Sequence, residues 1–305
     1  MPFAGTSKAW RGGQQRERGL MDGPEILVRS MTATRIPDKF GNWWQYHSRS
    51  DRHSKIACWA AFFDLLNTSA LLRTHVADGK VIFGVNHTMQ DFKTRRKKDL
   101  DLVIARPGTE APNPVTRDRT LKSLAFHYGV VLTDAQADRL DELPNARSGP
   151  VGSVLVALEA KACMTKFSSS RPRLYDELNS SHLTIHGASA QAAAAALVMV
   201  NVSPEFISPD RNKVDLKGRQ PDIMPFRQPE GAASIVEKVA EIPRRSGPRE
   251  EGFDSIGVVM VYCRNDGSEI TVVRDAPAPA PSDDFHYDQM IRRLGHIYDS
   301  WFQHI

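Results

Sequence analysis

Cysteine is scarce in this chain. Cys58, Cys163 and Cys263 are three in 305 residues. No CxxC pair and no Cys/His spacing of the zinc-binding kind accompanies them, which argues against a zinc site. An odd, sparse set suits a reducing cytoplasm. Long apolar runs are missing too, and nothing approaches the ~20 residues of a membrane span, so no membrane association is expected. The opening residues lack the apolar core of a signal peptide. They hold four Lys/Arg and four Gly in the first nineteen positions. Residues 1–30 therefore read as a flexible basic arm.

What is present is ordinary for a soluble globular protein: 41% apolar and 25% charged residues. The length fits one α/β domain carrying insertions. A net charge of +4 and a pI near 9.0 lean mildly toward polyanionic partners. The distribution says more. Residues 93–98 read Lys-Thr-Arg-Arg-Lys-Lys, five bases in six positions, and lead directly into an acidic, apolar segment.

Periodicity predicts a helix over 51–72, with Ile56, Trp59, Ala60, Phe63, Leu66 and Ala70 at helical spacing. Short apolar runs predict strands at 81–85 and 100–105. A Pro-containing loop at 109–114 and two helices follow, at 116–128 and 133–143, the second capped by Thr133. A strand at 154–163 comes next. Then a Ser-rich helix entry with Pro172 leads to a helix over 173–195, interrupted at Gly187, and a buried strand at 196–202. Residues 204–250 read as a long loop with one short helix at 232–239. Residues 256–263 and 269–273 form a hairpin around Asn265-Asp266-Gly267. Alternating Ala and Pro over 276–281 predict a stiff linker. Residues 284–305 predict an amphipathic helix with Tyr287, Ile291, Leu294, Tyr298, Trp301 and Ile305 on or near one stripe.

The chemistry concentrates in the strand at 154–163, read Val-Leu-Val-Ala-Leu-Glu-Ala-Lys-Ala-Cys. Glu159 and Lys161 are two apart, so in a strand they share a face. Charges on an apolar strand are costly unless paired or bound to a metal. Acid-x-Lys also occurs at Asp78, Asp91 and Asp215, but in turns or polar segments; only the Glu159 pattern ends a hydrophobic strand. Upstream, Asp99 and Asp101 open a second apolar strand. If the two strands are neighbours, Asp101, Glu159 and Lys161 converge. Two carboxylates of this kind hold a hard divalent cation through oxygen. A nearby lysine then suits phosphodiester hydrolysis.

The arrangement resembles the PD-(D/E)xK nuclease superfamily, with its restriction-endonuclease-like fold. Asp101 matches the first acid and Glu159-Ala160-Lys161 the second half-motif, over roughly residues 51–202. The proline before the first acid is absent, with Leu100 in its place, and Asp99 remains an alternative first acid or a second ligand. The resemblance implies an α/β fold: a mixed central β-sheet flanked by helices, with residues 107–150 as a helical insertion. It implies a nuclease domain over 31–275, followed by a linker at 276–283 and a C-terminal helix at 284–305. It implies a magnesium-dependent DNA endonuclease of the restriction or genome-defence type, with manganese able to substitute. The alternatives are a repair nuclease or a DNA-binding protein that keeps the fold.

On this reading Asp101, Glu159 and Lys161 are catalytic, and Asp101, Glu159 and Asp99 are the metal ligands. Arg95, Arg96, Lys97, Lys98, Lys166, Arg171 and Arg173 are the expected DNA contacts. Glu177, Asn179 and His182 border the cleft as weaker candidates, and Trp43 and Trp44 are candidates for base stacking. The resemblance also implies a further acid from the first helix, for which Asp64 is the candidate, although a mid-helix Asp is more often a surface or hydrogen-bonded residue. Cleavage of both strands implies a homodimer, with the C-terminal helix as a candidate surface.

Overall fold

The computed structural model describes residues 21–92, 94–110, 119–247 and 250–305. Its frame is a six-stranded mixed sheet. The strands are β3 (Ile82–Gln90), β4 (Lys97–Pro107), β5 (Val151–Cys163), β6 (Ala193–Asn201), β9 (Ser255–Tyr262) and β10 (Thr271–Val273). Their order across the sheet is β10-β9-β6-β5-β4-β3. Strands β3, β4 and β5 form an antiparallel meander. Strands β5, β6 and β9 run parallel, and β10 returns antiparallel at the edge. Two small ribbons lie outside, β1 (Ile36–Pro37) with β2 (Trp43–Trp44) and β7 (Glu205–Ile207) with β8 (Ile223–Pro225).

Helices cover both faces, as a sheet with parallel central strands requires. One face carries α1 (Gly23–Ala33), α2 (Arg52–Thr68) and α8 (Tyr287–Trp301), with α3 (Ala70–Ala77) and α4 (Leu121–Tyr128) packed against α2. The other carries α6 (Phe167–Ala188) and α7 (Glu230–Ala240). Helix α5 (Asp134–Glu142) completes the insertion; Thr133 and Gln136 form a reciprocal capping box at its start. Among the described residues no single helix is long and apolar enough to cross a membrane.

Several elements depart from the sequence reading. Helix α1 begins at Gly23 and buries Ile26, Leu27, Val28 and Met31, so the expected arm ends earlier than residue 30; residues 1–20 lie outside the described residues. The helix expected over 51–72 breaks at Ser69, whose hydroxyl accepts the Leu72 N–H and starts α3. The alanines at 193–195, expected to be helical, open β6. All nine residues of that strand are buried between β5 and β9, so packing overrides the helical preference of alanine.

Nor is the Pro/Ala segment an extended linker. It folds into turns closed by Ala278 N–H to Asp275 O and Asp283 N–H to Ala280 O. Helix α8 therefore docks on β9 and α2, with Tyr287, Met290, Ile291, Leu294 and Tyr298 buried in the chain's own core. Its apolar stripe is buried inside the domain. Part of the loop expected at 109–114 and the start of the helix at 116, like Lys93, lie outside the described residues.

Candidate active site

Two neighbouring strands of the sheet fork. Strands β4 and β5 pair from Pro107–Val151 to Leu102–Leu158. Beyond that point β4 stays with β3, Leu100 opposite His87 and Asp99 opposite Thr88. Strand β5 stays with β6, Ala160 opposite Leu197 and Lys161 opposite Val198. The Asp101 carboxylate enters the gap, and its Oδ2 accepts the Ala160 N–H at 2.8 Å. A backbone donor freed by the parting strands is thereby satisfied by a side chain. Ala160 lies between Glu159 and Lys161, so this bond brings the two half-motifs together. Of the two aspartates, Asp101 is the one whose carboxylate reaches this gap.

Glu159 is 2% exposed. Its Oε1 lies 2.7 Å from Lys161 Nζ and 3.9 Å from Lys98 Nζ. Helix α6 supplies the opposite wall. Leu174, Leu178 and Ile185 anchor it to the sheet, and that stripe carries Glu177 over the fork. Glu177 Oε2 lies 3.3 Å from Lys161 Nζ, and its Oε1 lies 2.6 Å from Arg173 Nε, one helical turn away. Lys98 Nζ donates to the Glu177 carbonyl at 2.9 Å. The first turn of α2 closes the site, with Ser54 against the Asp101 carboxylate and His53 within the field of Lys161.

Burial dominates the electrostatics. It raises the pKa of Asp101 against the opposing pull of the Ala160 N–H, Lys161 and Ser54. It raises that of Glu159 against Lys161. Burial disfavours the Lys161 ammonium, but Glu159, Glu177 and Asp101 outweigh it and hold its pKa above the usual lysine value. Its three carboxylate neighbours thus favour the charged form of Lys161. Burial also lowers the pKa of Lys98, and His53 is pushed down to about 4, chiefly by burial. At Glu177 burial is overcome by Arg173 and Lys161, which hold its carboxyl below the usual range.

One observation bears on a cation. Glu159 Oε2 is buried and has no hydrogen-bond partner, which is costly for a carboxylate oxygen unless something else meets it. Asp101 is near enough to act on it electrostatically, and the two carboxylates offer oxygen donors only, as a hard divalent ion requires. Among the described residues no group of three His, Cys, Asp or Glu gathers in metal-holding fashion. The pair would thus rely on water and substrate oxygens for its remaining ligands, the manner in which magnesium is commonly held.

No family model, curated protein or solved structure matches the chain. The functional reading rests on the geometry of this cluster.

The other expected residues divide. Asp99, expected as a further ligand, is exposed and takes the Thr88 hydroxyl at 2.5 Å. Arg95, Arg96 and Lys97 are exposed at and just after the β3–β4 turn, whereas Lys98 points inward to the cluster. Lys166 is exposed at the left-handed cap of α6, and Arg171 keeps its Nε buried without a partner. Arg173 is spent on Glu177. Asn179 and His182 bond each other at 2.8 Å, and the His182 ring packs on Phe253. Trp44 is buried with its Nε1 donating to Asp38, while Trp43 is exposed. Asp64 accepts from Asp22 N, Gly23 N and the Tyr287 hydroxyl, joining α1, α2 and α8. The sequence reading missed His53 and Ser54. An Asp-Arg-His-Ser entry to a helix looks like ordinary capping chemistry, and no linear signal places it beside residues 101 and 161.

Proposed function

We propose that this chain is a magnesium-dependent endonuclease that hydrolyses DNA phosphodiester bonds, of the kind used in restriction or genome defence. The observation that carries the reading is the fork: Asp101 bound to the Ala160 N–H, Glu159 with one buried oxygen unpartnered, and the Lys161 ammonium 2.7 Å from its other oxygen.

Asp101 and Glu159 would hold the cation. Bound there, it supplies polarisation of the scissile phosphate and a lowered pKa for an attacking water. Manganese shares the preference for oxygen ligands and serves in its place. Lys161 stabilises the negative charge that grows on the phosphoryl oxygens during attack. Glu177, itself held by Arg173, fixes the Lys161 side chain from the α6 wall, and Lys98 ties that wall to β4. Cutting both strands of a duplex calls for two such sites and hence a homodimer. Three buried free cysteines suit a cytoplasmic setting.

The test is incubation of supercoiled plasmid and genomic DNA of differing modification with the protein and magnesium, manganese or chelator. Nicking or linearisation by the wild type with either metal is expected, and none with chelator. Glu159→Ala and Lys161→Ala should abolish cleavage while DNA binding persists. A wild type that binds DNA but never cuts any form of it with either metal would overturn the enzyme reading in favour of a non-catalytic DNA-binding protein.

A further inference from the structure

A basic cleft adjoins the cluster, built from residues the sequence keeps far apart. Arg35, Arg52, Lys55 and Arg119 line a cavity of about 340 Å³ with Asp51 and Tyr128. Among the described residues that line it, Asp51 is the single carboxylate, and it is paired with Lys55 at 2.7 Å. Arg35 and Arg52 are braced by neutral groups. Arg35 donates to the carbonyls of Thr32 and Thr34 at 2.8 and 2.7 Å, and Arg52 to that of Tyr128 at 3.2 Å. Carbonyls orient a guanidinium without cancelling its charge, so the cleft keeps a positive field.

The cleft meets the candidate active site along the first turn of α2. Ser54 meets Asp101, while Arg52 and Lys55 face the cleft. Asn86, in β3, lines the cleft and stands between Val85 and His87, which pair with Leu102 and Leu100 on either side of Asp101. Arg119 and Tyr128 come from the helical insertion over 107–150, so the insertion supplies part of this wall.

We propose that this cleft carries the DNA backbone beside the bond that is cut, with Arg35, Arg52 and Arg119 contacting phosphodiesters that flank the scissile one. The inference rests on the nuclease reading of the neighbouring cluster. Planar guanidinium groups suit phosphate oxygens. Cations dispersed around an open cleft, contributed by α2 and by segments outside it, fit a polymer passing through better than a small molecule held within. This track differs from the one expected from Arg95, Arg96 and Lys97, which lie exposed at and just after the β3–β4 turn.

The experiment uses the full chain carrying Glu159→Gln, so that binding is read without cleavage. Affinity for a short DNA duplex is measured at several salt concentrations. Arg52→Ala and Arg119→Ala should each weaken binding roughly five- to tenfold and reduce the slope of log affinity against log salt by about one. Arg119→Lys, which keeps the charge, should retain most of the affinity. Thermal melting checks the fold; if Arg52→Ala fails it through loss of the Tyr128 brace, Arg119→Ala and Arg119→Lys decide. Unchanged affinity and slope in the Ala variants overturn this inference and leave the nuclease reading standing if the wild type cuts. A loss seen with an RNA duplex and not with DNA overturns the choice of partner. A parent protein that binds no DNA, together with a wild type that cuts none, overturns both.

Discussion

Asp101 and Ala160 are joined by a 2.8 Å hydrogen bond from a backbone N–H to a carboxylate across 59 positions of sequence. The bond has two roles, closing the fork between β4 and β5 and fixing the carboxylate next to Glu159. Asp101→Asn separates these roles, because the amide oxygen still accepts from Ala160 while the negative charge is gone. Cleavage should fall by at least about a hundredfold, with unfolding free energy changed by less than about 1 kcal/mol. Plasmid cleavage rates and urea unfolding on the same preparation check both; activity near wild type would remove Asp101 from the metal set.

Glu177 tests whether the α6 wall positions Lys161. Glu177→Gln keeps the shape but removes the charge that meets Lys161 and Arg173. The expected result is a fall in kcat of roughly ten- to a hundredfold with DNA affinity unchanged or tighter. Equal kcat, with only the affinity altered, would reduce Glu177 to an anchor for Arg173.

Asp64 gives a pH dependence that does not involve the site. Burial, opposed by the Asp22 and Gly23 N–H groups and the Tyr287 hydroxyl, pushes its carboxyl from 3.8 up to about 7. Between those values the folded protein keeps a proton that the unfolded chain releases, so stability falls as pH rises from about 4 to about 7. Asp64→Asn keeps an acceptor for the Gly23 N–H and has nothing to titrate. Denaturant midpoints followed across that interval should slope downward more steeply for the wild type than for the variant; parallel curves would contradict the assignment.

The second charged pair of the interior is structural. Arg245 Nε lies 2.9 Å from Asp254 Oδ1, with both side chains almost fully buried. Arg245 also donates to the Ala192 carbonyl at 2.8 Å, and Asp254 Oδ2 accepts the Ala194 N–H at 2.7 Å, so the pair clamps the entry to β6. Removing one member strands the other charge, and Arg245→Ala should cost about 3–5 kcal/mol in chemical unfolding. Cleavage per folded molecule should stay at the wild-type level; selective loss of activity in a fully folded variant would mean that the clamp reaches the site.

Much of the sheet was legible in the chain because its strands are short apolar runs with turn residues between them. The hairpin around Asn265-Asp266-Gly267 is one such case, with Asn265 and Gly267 at positive φ. Glu159 and Lys161 stood out for a local reason, two charges at strand spacing in an apolar run. Glu177 and Lys98 were visible as residues but not as neighbours. Their meeting depends on α6 crossing the sheet, and neither residue carries a local mark of that crossing. The alanines of β6 misled because alanine favours a helix until neighbours on both sides claim its backbone. The Pro/Ala segment misled because composition does not reveal turns fixed by docking of the helix beyond it.

The sequence by itself determined which strands are apolar, where turns fall, and that acids and a lysine interrupt two of those strands, because these are local matters of periodicity and backbone preference. Only the tertiary structure decided that Asp101 and not Asp99 faces Glu159, that Glu177 closes the wall, and that Arg35, Arg52 and Arg119 share one cleft. Those outcomes depend on strand order, on where two strands part and on helix crossings, which are set by burial of the whole core and not by any single stretch of chain.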